Sequence, residues 1–334
     1  VFDKDFYNDG RWVRFQRGRP RKIGGYRQIT NDLSGPSRGI YVNPQQSFNN
    51  VFSGHSQGLQ VVPIDNAGVG AGVTDMTLSG FTSSDNNVWQ FDTFYDVSGS
   101  GNNLLLAHPG QSLTLIDNNI NTPVLGGDIT GTSLAPIGVF TEVAATITSG
   151  SPNITLATAN LLIGAGQSVS GTGIPAGATV VSITTTALVI SANATANGSS
   201  ITLTFDNNVS VSGGVVSLHP YVFVYGNDGL IRNCSAGNVQ DWVSADANEV
   251  SVATGKIVQG LPVRGGSNAP SGLFWSLDSL IRVSFIGGSG TPPQYWRYDL
   301  ISSQSSILSS QSVIEYDGIY YWCGVDRFLL YNGV

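Results

Sequence analysis

Tyr221-Val222-Phe223-Val224-Tyr225-Gly226-Asn227-Asp228-Gly229-Leu230-Ile231 is an apolar run, a turn cluster and the start of a second apolar run. Aromatic and β-branched residues fill the first run, and Gly-Asn-Asp-Gly supplies turn chemistry, so the stretch reads as a β-hairpin. The same shape recurs four times. It appears in Asn50–Val62 around His55, in Leu104–Ile116 around Pro109, in Leu273–Val283 around Asp278, and in Ile319–Leu330 around Asp326. The turns at His55, Pro109, Asn227, Asp278 and Asp326 lie 54, 118, 51 and 48 residues apart.

The long interval contains an anomaly. Between Glu142 and Asp206 there are 63 residues without a charged side chain, built from Thr, Ser, Ala, Gly, Val and Ile. Val181-Ser182-Ile183-Thr184 and Ser200-Ile201-Thr202-Leu203-Thr204-Phe205 alternate as half-buried strands do. Turn clusters such as Gly171-Thr172-Gly173-Ile174-Pro175-Ala176-Gly177 punctuate them. The stretch is expected to be a small guest domain, sandwich-like or barrel-like. With the guest set aside, every spacing falls near 50 residues. A repeat of about 40–50 residues with several strands per unit is the signature of a β-propeller. The fold expected is therefore all-β: a β-propeller carrying an inserted β-sandwich-like domain. Its parts are a basic arm (1–38), a first propeller portion (39–142), the guest (143–206) and a second propeller portion (207–334). A partial blade near Val13–Ile29, or further blades past Val334, would complete the ring. The chain opens on Val and stops after Tyr331-Asn332-Gly333, as a trimmed piece of a longer protein would.

Composition agrees with strands and turns. The 334 residues include 42 Gly but only three Glu and three Lys, so helix formers are scarce. Charged residues make up 11%, against about 25% in an average soluble protein. That excludes a charged disordered chain and a Glu/Lys-rich coiled coil. No apolar run reaches the roughly 18–20 residues that a helix needs to cross a bilayer.

Charge is unevenly spread. The net charge is −7, yet residues 1–38 hold nine of the fifteen basic residues and only four acidic ones. Arg11, Arg14, Arg17, Arg19, Arg21, Lys22 and Arg27 form this arm, and they are the candidate interface residues. A basic arm on an acidic body can seek an acidic neighbour. Trp12, Phe15 and Tyr26 are interleaved, as in some nucleic-acid binders. The acidic remainder argues against general DNA affinity, so a subunit-interface role is favoured.

Catalytic patterns are weak. Gly54-His55-Ser56-Gln57-Gly58 matches G-x-S-x-G, but a strand follows it where a nucleophile elbow needs a helix. Glu315 and Asp317 could be drawn as a glycosidase carboxylate pair, but Asp317-Gly318 reads better as a turn. His55 and His108 sit at equivalent hairpin turns and read as structural. Three scattered His and two scattered Cys, Cys234 and Cys323, give no zinc spacing and no disulfide framework. The Asn-x-Ser/Thr sequons are treated as incidental. No cofactor, no metal and no catalysis are expected.

A family resemblance sits on top of this reading. Gly18-Arg19-Pro20-Arg21-Lys22-Ile23-Gly24-Gly25-Tyr26 resembles the opening of virion structural proteins of tailed bacteriophages. Val263-Arg264-Gly265-Gly266, Gly272-Leu273-Phe274-Trp275 and Val313–Trp322 resemble the β-propeller tail nozzle or hub of short-tailed phages. Gly171–Val180 is similar to small β modules scattered through phage tail proteins. The resemblance implies a ring-forming virion tail component in six copies. It implies docking on a portal or adaptor, with DNA passing as transient cargo. The rival expectation is a carbohydrate- or receptor-binding propeller on a virion surface, with Trp89 and Trp242 as exposed sugar-binding aromatics.

Overall fold

The computed structural model describes residues 13–17, 19–23, 28–30, 32–44, 48–70, 72–78, 81–101, 103–111, 115–117, 134–209, 211–263 and 269–333. Among them the protein is all-β, with short 3-10 turns and no α-helix. The first element is a hairpin of β1 (Val13–Gln16) and β2 (Arg19–Lys22), which stands as its own two-stranded sheet.

The body is a series of antiparallel meanders in chain order. The first sheet contains β3 (Gly39–Pro44), β4 (Phe48–His55), β5 (Gly58–Asp65) and β6 (Thr74–Asp75). The second contains β7 (Gln90–Tyr95), β8 (Asn103–His108), β9 (Leu115–Asp117) and β10 (Leu134–Pro136). The guest follows, with β11 (Val139–Ile147), β12 (Asn153–Thr155), β13 (Ser168–Gly171), β14 (Val180–Thr184), β15 (Ala187–Ile190) and β16 (Gly198–Asp206). The third meander holds β17 (Gly214–Leu218), β18 (Tyr221–Tyr225), β19 (Leu230–Asn233) and β20 (Asn248–Ser251). The fourth holds β21 (Ile257–Pro262), β22 (Ser271–Ser276), β23 (Leu280–Ser289) and β24 (Gln294–Ser302). The last has three strands, β25 (Val313–Tyr316), β26 (Ile319–Cys323) and β27 (Phe328–Tyr331).

The five sequence repeats coincide with one structural feature. Each quoted turn joins the second and third strands of its sheet: β4–β5, β8–β9, β18–β19, β22–β23 and β26–β27. The second strands of the second, third and fourth sheets are buried on both faces, which is why they read as unbroken apolar runs rather than alternating ones. Their alternate residues serve two different cores. Leu105 and Ala107 join Phe52, Leu59 and Trp89 between the first and second sheets. Leu104 and Leu106 join Val222 and Val224 between the second and third. Phe223 and Tyr225 meet Phe274 and Trp296 between the third and fourth. Leu273 and Trp275 meet Tyr320 and Trp322 between the fourth and last. Consecutive meanders thus pack face to face, and the cores between them are shared by neighbouring sheets.

The guest is one six-stranded sheet in the order β13-β16-β11-β12-β15-β14. Where a sandwich-like module is expected, a single sheet brings its two edges together through a bridge between Ser168 and Thr179. Its core is separate from the others and includes Ile147, Ile154, Val169, Leu188 and Phe205. Leu188 and Ile190 of β15 and Leu203 and Phe205 of β16 face that core, and in β16 the Thr neighbours point the other way. A polar knot ties its two ends. Asn207 Nδ2 donates to the Gly138 carbonyl at 2.8 Å, and Gln167 Nε2 donates to Asn207 Oδ1 at 2.7 Å. Arg232 anchors the same place: it pairs with Glu249 at 2.9 Å and donates to the carbonyls of Asn207 and Asn208.

Candidate functional site

Five of the seven predicted interface residues fall on the first hairpin. Strand pairing sets Arg14 opposite Arg21, Gln16 opposite Arg19, and Val13 opposite Lys22. Arg17 occupies the turn with a φ of 52°, and all of β2 is exposed. Two arginines directly opposite on a ladder repel each other, so the pair works against the hairpin's own stability. None of Arg14, Arg17, Arg19, Arg21 and Lys22 has an ion-pair partner among the described residues. An uncompensated cationic strip of this kind is suited to an acidic partner. Arg11 and Arg27 lie outside the described residues.

A second feature was not legible in the sequence. A cavity of about 340 Å³ is lined by the first strands of the four successive sheets, β3, β7, β17 and β21, together with Gln311. Gln90 organises it. Its Nε2 donates to the carbonyls of Gly213 and Val258 at 3.1 Å each, and its Oε1 accepts from the Tyr225 hydroxyl at 2.7 Å. One side chain of the second sheet therefore holds the third and fourth. Asp92 Oδ2 accepts from the Ser217 amide at 2.7 Å, tying β7 to β17. Gln311, just before β25, reaches the Trp89 carbonyl at 3.5 Å.

The third feature is an uncovered apolar face. On the last sheet, Ile314 pairs with Tyr321 and Tyr321 with Leu330, while Tyr316 and Phe328 share their face. Exposure runs from 39% for Tyr321 to 88% for Phe328. The opposite face carries Tyr320 and Trp322 and is buried against the fourth sheet. At the other end of the series, Ile40 and Val42 of β3 are also exposed.

The histidines are structural. His55 and His108 end equivalent strands, and each accepts at Nδ1 from the amide two residues ahead, Gln57 and Gly110 respectively. His108 is fully buried and Nε2 contacts the Val211 carbonyl at 2.9 Å, so it links the second sheet to the third as a neutral Nε2–H donor. Burial pushes its pKa down to about 3. Burial also lowers that of His55, with Asp75 opposing the shift.

Two expected surface aromatics are core residues. Trp89 is 1% exposed, stacks between Phe81 and Phe91, and donates its indole N–H to the His55 carbonyl at 2.9 Å. Trp242 is 7% exposed and donates to the Val239 carbonyl at 2.8 Å. Both rings are too large and apolar to leave in water when neighbouring sheets can cover them, so neither is available to a sugar. The Gly54–Gly58 segment is a tight hairpin with His55 opposite Gly58, without the helix that a nucleophile elbow needs. Glu315 accepts from the Gly318 amide at 2.8 Å and so braces the β25–β26 turn. Cys234 is buried and Cys323 half-buried, both free, and burial pushes the Cys234 thiol up. Among the described residues no three His, Cys, Asp or Glu side chains cluster as a metal site, and no helix is long and apolar enough to cross a membrane.

Comparisons add little to this geometry. No protein-family model matches the chain. No curated protein matches it. Among solved structures, it is similar to a chain described as phage phi92 endosialidase, with 10% identity over 86% of this chain and a TM-score of 0.27. The chain spans about half the length of that protein, 50%. An overlap at this TM-score carries no inference about fold or activity.

Proposed function

We propose that the chain is a β-propeller that serves as a structural, non-catalytic subunit of a bacteriophage tail, in the nozzle or hub ring that conducts DNA. Five meanders packed face to face, with the first strands of four of them lining one cavity, support the propeller reading. The observation that carries the assembly role is the uncovered face of the last sheet, with Ile314, Tyr316, Tyr321, Phe328 and Leu330 on one side. Contiguous apolar surface of this kind marks an interaction site. The exposed strip of Arg14, Arg17, Arg19, Arg21 and Lys22 adds an electrostatic contact for an acidic neighbour. Assignment to a phage tail rests on the resemblance of Gly18–Tyr26 and Val313–Trp322. In this reading six copies form the ring, a portal or adaptor complex receives it, and the acidic body offers passing DNA a repulsive wall.

The test is mass photometry of the protein, alone and with an adaptor complex, for the wild type and an Arg17→Gln/Arg19→Gln/Arg21→Gln variant. Ring-sized particles that are depleted in the variant and at high salt are expected. A wild-type protein that stays monomeric in both settings, or a variant that assembles normally, would sink the reading.

A further inference from the structure

A cleft of about 290 Å³ lies between the outermost strands of the third and fourth sheets, β20 and β24. Asn248 stands on one wall; Pro293, Gln294, Tyr295, Trp296 and Tyr298 form the other. No lining side chain is charged. That is unusual for a rim position with Glu249 and Arg297 as immediate chain neighbours, both turned to ion pairs of their own with Arg232 and Asp299.

The cleft holds unspent hydrogen-bonding capacity. Asn248 Nδ2 donates to the Tyr298 hydroxyl at 3.1 Å. That bond uses a lone pair of the hydroxyl and leaves its proton to give; it also leaves Asn248 Oδ1 to accept. Burial pushes the Tyr298 pKa up to about 12, so the hydroxyl remains a donor at neutral pH. Trp296 is 4% exposed, and its indole N–H has no partner among the described residues. Trp296 is fixed by edge-on contacts with Tyr221 and Phe223, so this wall is preorganised.

We propose that this cleft binds a neutral pyranose unit of a glycan. A sugar ring presents an apolar C–H face and a rim of hydroxyls that donate and accept. The Tyr295 and Tyr298 rings match the first, and the Tyr298 hydroxyl, Asn248 and Gln294 match the second. Absence of charge at the walls disfavours phosphate and carboxylate ligands. The small, compact volume fits one sugar residue better than an extended proline-rich peptide, the other ligand that aromatic clefts take. The site is independent of the ring reading and stands or falls separately.

Saturation-transfer NMR on the full chain would test it, using methyl glycosides of glucose, galactose and mannose together with N-acetylglucosamine. N-acetylneuraminic acid and a proline-rich peptide serve as comparators. Transfer to at least one neutral sugar is expected, with affinity weakened about tenfold or more in Asn248→Ala and in Tyr298→Phe. Asn248 is exposed, so its variant keeps the fold and decides the question even if Tyr298→Phe unfolds. No transfer to any neutral sugar, preference for the acidic sugar or the peptide, or unchanged affinity in Asn248→Ala would overturn the assignment.

Discussion

The Tyr225 hydroxyl donates to Gln90 Oε1 at 2.7 Å, between residues 135 positions apart in the chain. The pair joins the second and third sheets beside their shared cavity, and Gln90 Nε2 extends the tie to the fourth through the Val258 carbonyl. Both side chains are buried, so water cannot replace a lost partner there. Tyr225→Phe should lower unfolding free energy by about 1–3 kcal/mol, because Gln90 Oε1 loses its donor. Gln90→Ala should cost more, because the Gly213 and Val258 carbonyls lose its Nε2 and the tyrosine hydroxyl keeps only Gln259 Oε1, at 3.2 Å. Urea unfolding would measure both, and a Gln90→Ala variant as stable as the wild type would show that the sheets do not depend on this hub.

Stability should fall on mild acidification because of His108. Its pKa is about 3 in the fold against the ordinary 6.5, so between those values the unfolded chain binds a proton that the folded chain refuses. The contribution is neutral above pH 6.5 and grows by about 1.4 kcal/mol for each pH unit below it. His55 acts in the same direction. In His108→Gln, which retains a donor for the Val211 carbonyl, the slope of unfolding free energy between pH 6 and pH 4 should shrink by about that amount. An unaltered slope would contradict the buried neutral imidazole.

Gly54 lies against the Trp89 indole so closely that a Cβ there would be driven into the ring. Trp89 is boxed in by Phe81, Phe91 and its bond to the His55 carbonyl, and cannot retreat. Gly54→Ala should therefore cost at least about 1–3 kcal/mol. Gly101→Ala meets open space and strains only a positive φ of 71°, so its cost should be about 1 kcal/mol. Comparing the two melting temperatures separates close packing from backbone strain.

Tyr316 is 75% exposed and Phe328 is 88% exposed, on the uncovered face of the last sheet. Replacing both with Ser should leave thermal stability within about 0.5 kcal/mol, since little packing is lost. Binding of a hydrophobic dye and self-association in sedimentation velocity should both drop. A large loss of stability would mean that the face is covered within the chain.

The repeating hairpins were readable because their signal is local. An apolar run with a Gly- or Asp-bearing turn dictates a hairpin wherever it sits, and the β18–β19 and β22–β23 segments needed no distant information. The alternation of β16 is readable for a similar reason, since Ile201, Leu203 and Phe205 stand two residues apart. Basic residues of the arm could be counted, but the pairing of Arg14 against Arg21 required the strand register. Trp89 and Trp242 show where local reading fails. Each sits outside a clear strand core, and its burial depends on which sheet comes to lie over it.

Strands, turns and the interrupted period follow from residue chemistry alone, because backbone preference and alternation act over a few neighbours. The choice of which face meets which, the cavity gathered by Gln90, the bare surface of the last sheet and the neutral cleft at Tyr298 arise only when sheets tens of residues apart close on one another. Burial and hydrogen bonding at those places are properties of the packed neighbours, and no window of sequence contains them.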